Sequence, residues 1–228
     1  MDASQLGMMF DCDGTLLDSA DMWHELENSL VRKSGAMLTP ADREYLHECT
    51  IPECGAFFHE RFGLAGSGEE VVEIMDDFAI EYYSRRAVAR PGALAFVAAL
   101  AERGAHLAVT SSSPQEYLIA GMEHCGFAPY LQEIVSVNDV GKSKREPAVW
   151  IHACELLGTP RESTWGVEDS TYAVRTLSGA GFPTLGVYDR DRSGTWDELS
   201  KEATRAIRSF EDIDADTFLA WADAAIAR

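Results

Sequence analysis

The sequence predicts an α/β fold: a Rossmann-like doubly wound parallel sheet core with an inserted all-helical cap domain. From residue 88 to the end of the chain, short apolar segments alternate with helical ones, which is typical of a parallel sheet covered by helices on both faces. Between residues 19 and 87 the periodicity is helical throughout, with no convincing strand. We therefore expect a core domain formed by residues 1–18 and 88–228 and a helical cap domain over residues 19–87.

The first strand is predicted at residues 6–10, an apolar run typical of a strand buried on both faces. In the helical region, apolar residues recur at four-residue spacing from residue 22 to residue 30. Thr39 followed by Pro40, and Ser67 followed three residues later by Glu70, are signals that start helices.

The remaining elements alternate regularly along the chain. Strands are predicted at 106–110, 134–137, 164–167, 185–188 and 206–209. Helices are predicted at 91–103, from 114 to 121–124, at 147–157, at about 171–178 and at the end of the chain. In sheets of this kind ligands bind outside the carboxyl ends of the strands, so the residues that follow each strand are the functional candidates.

Composition narrows the classes of partner. The formal net charge is −19 and the pI is about 4.6. The sequence also has no run of Lys or Arg that could form a basic face, so we expect no binding of nucleic acid. An anionic small molecule would need a local positive site, such as a metal ion or a buried Lys.

Cysteine usage and the apolar runs indicate a cytoplasmic protein. The five cysteines include no C-x-x-C pair, so neither a zinc site nor a disulfide framework is indicated. The N-terminus has no signal-peptide pattern, and the longest apolar run, residues 93–101, is too short to cross a bilayer. We therefore expect no membrane partner, and the sequence leaves the oligomeric state unknown.

Two acids follow the first strand. Asp11 and Asp13 lie on the same side of an extended chain, and Gly14 allows a tight turn beside them. Two carboxylates at the mouth of a sheet repel each other without a cation, and an oxygen-only ligand set suits Mg²⁺. Taken alone, this motif is also compatible with an ordinary Asp- and Gly-containing turn.

Hydroxyl groups follow the second strand of the core. Ser111 and Ser112 stand just before a helix that begins near Pro114, where hydroxyl and backbone N–H groups bind phosphate oxygens well. Ser113 is predicted to be only a helix cap.

A lysine and a second acidic pair complete the set. Lys142 and Lys144 precede the helix at 147–157, and a lysine there can neutralise phosphate charge. Glu168 and Asp169 follow the strand at 164–167 and would complete an oxygen cage for Mg²⁺. Alone, these segments are also compatible with a solvated basic loop and a helix start.

The order of the four motifs, each at a strand end, resembles that of the haloacid dehalogenase-like superfamily. The similarity covers nearly the whole chain, helical cap included, and is strongest to the subgroup of β-phosphoglucomutases and sugar-phosphate phosphatases. That family shows Lys-Pro-x-Pro, of which only Pro147 remains here. Counting back from Pro147 selects Lys144, and Lys142 stays an alternative.

The resemblance implies a mechanism for phosphate esters. Asp11 would be the nucleophile that forms an aspartyl-phosphate, and Asp13 would be the general acid and base. Mg²⁺ would be held by Asp11, the Asp13 backbone carbonyl and Asp169, with Glu168 bound directly or through water. Ser111, Ser112 and Lys144 would bind the phosphoryl oxygens. Dehalogenases and phosphonatases lack the second acid, so Asp13 implies a phosphate ester.

The expected function is a Mg²⁺-dependent phosphatase (a phosphoric monoester hydrolase) that acts on a small phosphorylated metabolite, with sugar phosphates as candidates. The alternative is a β-phosphoglucomutase-like mutase, but Trp23 and Ile51 replace the His and Arg that those mutases use in their cap. A catalytically inactive metal-binding interaction module is a third reading. The side chains expected to set specificity are Trp23, Cys49, Thr50, Phe57 and Phe58.

Overall fold

A computed structural model describes residues 2–32, 35–190 and 193–226. Its centre is one six-stranded sheet in the order β3-β2-β1-β4-β5-β6, with every neighbouring pair parallel. The strands are β1 (Gly7–Phe10), β2 (His106–Ser111), β3 (Glu133–Ser136), β4 (Thr164–Glu168), β5 (Thr184–Val187) and β6 (Arg205–Ile207). Helices flank this sheet, so the predicted fold class is confirmed.

Eleven α-helices lie within the described residues. The four that follow β1 are α1 (Ala20–Arg32), α2 (Pro40–His47), α3 (Ile51–Phe62) and α4 (Gly68–Arg85). Those of the core are α5 (Ala93–Glu102), α6 (Gln115–His124), α7 (Val137–Val140), α8 (Ala148–Leu157), α9 (Thr171–Gly179), α10 (Trp196–Glu202) and α11 (Ala215–Ile226). No described residue between 20 and 85 belongs to a strand; we call this stretch the α1–α4 segment.

Helices α3 and α10 were not predicted individually, although the chain carries their start signals. Thr50 and Glu53 form a capping box at the start of α3, and Thr195 and Glu198 form one at the start of α10. The strand expected at 134–137 ends one residue early, because Ser136 caps the short helix α7 instead. Capping residues therefore mark the starts of short helices that apolar periodicity alone does not predict.

The register of β1 places the functional candidates at one edge. Phe10 lies opposite Val109 of β2 and Val167 of β4. The residues that follow these positions therefore emerge together at the carboxyl edge. The chain runs from β1 outward through β2 to β3 and then returns to β4 on the other side of β1, which creates the topological switch point at which ligands bind in such sheets.

Two chain crossings join the α1–α4 segment to the sheet, and they lie side by side. The backbone N–H of Asp18 donates to the Val88 carbonyl at 2.9 Å, and that of Arg90 donates to the Leu16 carbonyl at 2.8 Å. Farther along, α4 packs on α6 at Gly121, where an added Cβ would lie 2.9 Å from Cδ1 of Tyr83. The missing side chain of Gly121 therefore allows Tyr83 to reach the edge of the sheet.

Within the described residues, no helix combines the length and the apolar character that a bilayer span requires.

Candidate active site

Lys144 connects two of the predicted acids. Its Nζ donates to Asp11 Oδ1 and to Glu168 Oε1, both at 2.5 Å, and the three side chains are almost fully buried. Burial alone would lower the pKa of Lys144, but the charges of Asp11 and Glu168 raise it above its ordinary value. Burial raises the pKa of Glu168 to about 7, because it outweighs the attraction of Lys144.

The two candidate lysines occupy different surroundings. Lys142 lies on the surface, with 54% of its side chain exposed, and pairs with Glu146 at 3.0 Å. Lys144 contacts Asp11, whereas the ion pair of Lys142 is confined to its own loop. The structure therefore brings Lys144 together with the acids.

Asp11, Glu168 and Asp169 form a group that fits a divalent ion. Each offers a carboxylate oxygen, and these oxygens lie within 4.8 Å of one another. All three side chains are buried, and the donor set contains oxygen alone, which suits Mg²⁺ better than a metal that prefers sulfur or nitrogen. The backbone carbonyl of Asp169 accepts from Ser193 Oγ at 2.6 Å, which ties this loop to the one after β5.

The Asp13 carboxylate lies outside that acidic group and accepts three hydroxyl hydrogen bonds. Ser19 Oγ and the Tyr83 hydroxyl donate to Asp13 Oδ1 at 2.7 and 2.5 Å. Ser113 Oγ donates to Asp13 Oδ2 at 2.8 Å, so the expectation that Ser113 is only a helix cap is wrong. Burial and the negative charge of Asp13 raise the pKa of Tyr83, which keeps this donor protonated.

The hydroxyls after β2 line the same space. Ser111 is buried at the end of the strand, and its Oγ accepts from the Ser113 backbone N–H at 3.1 Å. Ser112 is half-buried beside it, and both residues border the cavity above Asp11.

A cavity of about 750 Å³, including its open mouth, separates these residues from the α1–α4 segment. Of the five residues predicted to set specificity, Trp23, Cys49 and Phe58 line it. Thr50 and Phe57 do not: Thr50 caps α3, and the Phe57 ring packs against Tyr45 at 5.3 Å.

The loop that carries Lys144 also touches the α1–α4 segment. Arg145 Nε donates to Glu48 Oε2 at 3.2 Å, and its Nη1 lies 4.0 Å from Glu53 Oε1. No role for Arg145 was predicted from the sequence. Its side chain joins the loop of Lys144 to residues at the end of α2 and the start of α3.

Several residues of the site were not identified from the sequence. Ser19 was detectable, because it follows the first motif directly. Tyr83 and Glu27 resemble ordinary positions of amphipathic helices, and no local pattern indicates that Tyr83 contacts a residue seventy positions away or that Glu27 borders the cavity.

Comparison with known proteins gives a consistent result. A model of the haloacid dehalogenase-like hydrolase family matches residues 8–187. An N-acetylmuramic acid 6-phosphate phosphatase of Pseudomonas aeruginosa is 26% identical over 183 residues, covering 79% of this chain and 80% of that protein. A phosphoglycolate phosphatase of Rhodospirillum rubrum is 27% identical over 190 residues, covering 78% of this chain and 77% of that protein.

The fold is also similar to that of a solved structure. CbbY from Rhodobacter sphaeroides, crystallised in complex with phosphate, superposes with a TM-score of 0.78 at 21% identity. The match covers 95% of this chain and 98% of that one.

Because Lys144 is buried and Lys142 is exposed, we expect their substitution to lower the free energy of unfolding by different amounts. In excess chelator, Lys144→Met should lower the free energy of unfolding by about 3–5 kcal/mol, since it leaves buried carboxylates without their cation. Lys142→Met is the matched control and should change it by less than about 0.5 kcal/mol, because exposed ion pairs contribute little. Urea denaturation measures both, and equal effects would contradict the placement of Lys144.

Proposed function

The chain belongs to the haloacid dehalogenase-like hydrolase family, and we propose that it is a Mg²⁺-dependent phosphatase that hydrolyses a small phosphorylated metabolite through an aspartyl-phosphate. The observation that carries the proposal is the position of Asp11. Its carboxylate lies at the end of the central strand, is held by Lys144 and borders the cavity between the sheet edge and the α1–α4 segment.

The chemistry proceeds in two displacements. An Asp11 carboxylate oxygen attacks phosphorus, the ester P–O bond breaks, and the leaving oxygen takes a proton from Asp13. Water then attacks the phosphorus of the aspartyl-phosphate and gives its proton to Asp13, which releases phosphate and restores Asp11. The three hydroxyls around Asp13 fix its orientation for both proton transfers.

The remaining residues bind the transferring group. Lys144, Ser111 and Ser112 hold phosphoryl oxygens and compensate their charge. The side chains of Asp11, Glu168 and Asp169, with the Asp13 backbone carbonyl, would hold Mg²⁺, which supplies positive charge beside the phosphoryl group when bound.

Hydrolysis is favoured over transfer to a second sugar oxygen. A mutase must hold a second phosphate, yet the described part of the α1–α4 segment contributes no Lys or Arg to the cavity lining. Trp23 and Ile51, which replace the mutase His and Arg, both line the cavity. The relatives named above are phosphatases of phosphorylated metabolites, which supports the same choice.

We assign the α1–α4 segment the role of a cap, with residues 19–87 as the cap domain and residues 1–18 and 88–228 as the catalytic core. The two adjacent chain crossings would act as its hinge. The contacts of Arg145 with Glu48 and Glu53 would hold the cap against the core when the cap is closed.

The nucleophile is tested by Asp11→Asn. The amide fills the same space but cannot attack phosphorus, so phosphate release from 4-nitrophenyl phosphate should fall at least about a thousandfold. Asp18→Asn, at an exposed position of the same loop, is the control and should remain active. Mass spectrometry of acid-quenched enzyme should find the phosphoryl adduct on the peptide containing Asp11. Retained turnover in Asp11→Asn would rule out the mechanism.

Metal dependence follows from the acidic group. Chelation should stop phosphate release, Mg²⁺ should restore it, and Ca²⁺ should not, because its larger and looser coordination misplaces the reacting groups. Asp169→Asn should raise the Mg²⁺ concentration for half-maximal activity at least about tenfold, whereas the exposed Asp197→Asn should not. Full activity in excess chelator would contradict the prediction.

Tyr83 is predicted to position Asp13. Tyr83→Phe removes a hydrogen bond to the proton donor, so hydrolysis of alkyl phosphates should fall about tenfold and that of 4-nitrophenyl phosphate much less, since a weakly basic leaving group needs little acid help. Tyr82→Phe is the matched control, because the Tyr82 hydroxyl donates to the Asp18 carbonyl instead. Equal losses for both ester types would exclude this role.

A further inference from the structure

The wall of the cavity that faces the catalytic residues is mostly apolar. All four helices of the α1–α4 segment contribute apolar side chains to it, among them Leu26, Leu46, Phe58 and Met75. These side chains are at most 6% exposed, so they are packed among other residues of the protein. A leaving group that rises from the phosphate toward this wall must have an apolar flank to displace water from it.

Glu27 interrupts that apolar wall. It is the one charged side chain that the described part of the α1–α4 segment contributes to the cavity lining, and it is 7% exposed. Its Oε2 accepts from Arg43 Nη1 at 2.8 Å. Burying a carboxylate is costly without a partner of opposite charge, and Arg43 supplies one.

Arg43 approaches Glu27 from outside the cavity. Its guanidinium also donates to Asn28 Oδ1 at 2.9 Å, and Arg43 lines a neighbouring groove rather than the cavity itself. A ligand in the cavity would therefore contact Glu27 and not Arg43. The cation on the opposite wall, Lys144, is engaged by Asp11 and Glu168.

We propose that Glu27 selects the leaving group: a substrate alcohol with an apolar flank and a hydrogen-bond donor, a hydroxyl or an ammonium, and without a second anionic group. The donor would be bound by the Glu27 carboxylate. A carboxylate or second phosphate in this position would instead face Glu27 on an apolar wall, to which the described part of the α1–α4 segment contributes no Lys or Arg side chain. This inference rests on the proposed phosphatase activity and adds a substrate class to it.

The test uses four alkyl phosphates whose leaving oxygens are alike and whose remote ends differ. They are butyl, 4-hydroxybutyl, 4-aminobutyl and 3-carboxypropyl phosphate, assayed by phosphate release with saturating Mg²⁺. For the wild type, kcat/KM should be at least about tenfold lower for the carboxypropyl ester than for the butyl ester, and at least about threefold higher for the hydroxyl and ammonium esters.

Two substitutions attribute the preference to Glu27. Glu27→Gln should raise the carboxypropyl-to-butyl ratio of kcat/KM at least about fivefold. Its control is Glu25→Gln on the same helix, where the acid is exposed and pairs with Arg86, and which should leave the ratio unchanged. Met75→Lys adds a cation to the same cavity lining, and it should raise the ratio as well.

The outcomes separate this inference from the proposed function. If 4-nitrophenyl phosphate is hydrolysed but the carboxypropyl ester is used as well as the butyl ester, or if none of the alkyl esters is accepted, the selection by Glu27 is overturned and the phosphatase stands. If no phosphate ester is hydrolysed with Mg²⁺, both are overturned. A ratio unchanged in folded Glu27→Gln would also exclude the role of Glu27.

Discussion

The ion-pair cluster of Lys144 with Asp11 and Glu168 is the constraint on which the site depends. Buried carboxylates at the edge of a sheet are unfavourable unless a cation lies between them, and Lys144 contacts two of them at 2.5 Å. For this contact to form, β1 and β4 must be neighbours and the loop before α8 must fold over their ends. The strand order meets that requirement by placing β4 directly beside β1. The strand order that places β4 beside β1 therefore also brings the two carboxylates to the lysine that compensates their charge.

The strand pattern of the sequence was sufficient to predict both the sheet and the residues that lie at the ends of its strands. In a parallel sheet, residues that follow strands share one edge, so Asp11, Ser111 and Asp169 could be grouped from the strand pattern alone. The choice of Lys144 over Lys142 rested on counting back from Pro147 in the family motif, and the loop residues alone left Lys142 as an alternative. Both lie in one short loop, and only the path of that loop decides which ammonium is buried.

Contacts between the α1–α4 segment and the core were beyond the reach of sequence patterns. Tyr83 donates to Asp13 across seventy positions of the chain, and helical periodicity predicts only that such a residue faces a core. For Ser113 the local sequence pattern was misleading. It predicted a helix cap, whereas in the structure the Ser113 hydroxyl donates to Asp13. Short-range rules identify how a helix begins, whereas the use of each hydroxyl depends on which carboxylate the fold brings near.

The two walls of the cavity differ in a way that orients a substrate. The core wall offers Lys144, serine hydroxyls and the acidic group that suits Mg²⁺, so a phosphate is compensated there despite a chain charge of −19. The opposite wall is apolar apart from Glu27, whose carboxylate we propose to disfavour a phosphate. A substrate bound in the reversed orientation would place its anion beside Glu27 and its apolar flank among charged groups. Both contacts would weaken binding. The same residues that favour the productive orientation therefore disfavour the reversed one, and orientation by repulsion is well suited to a chain with a net charge of −19.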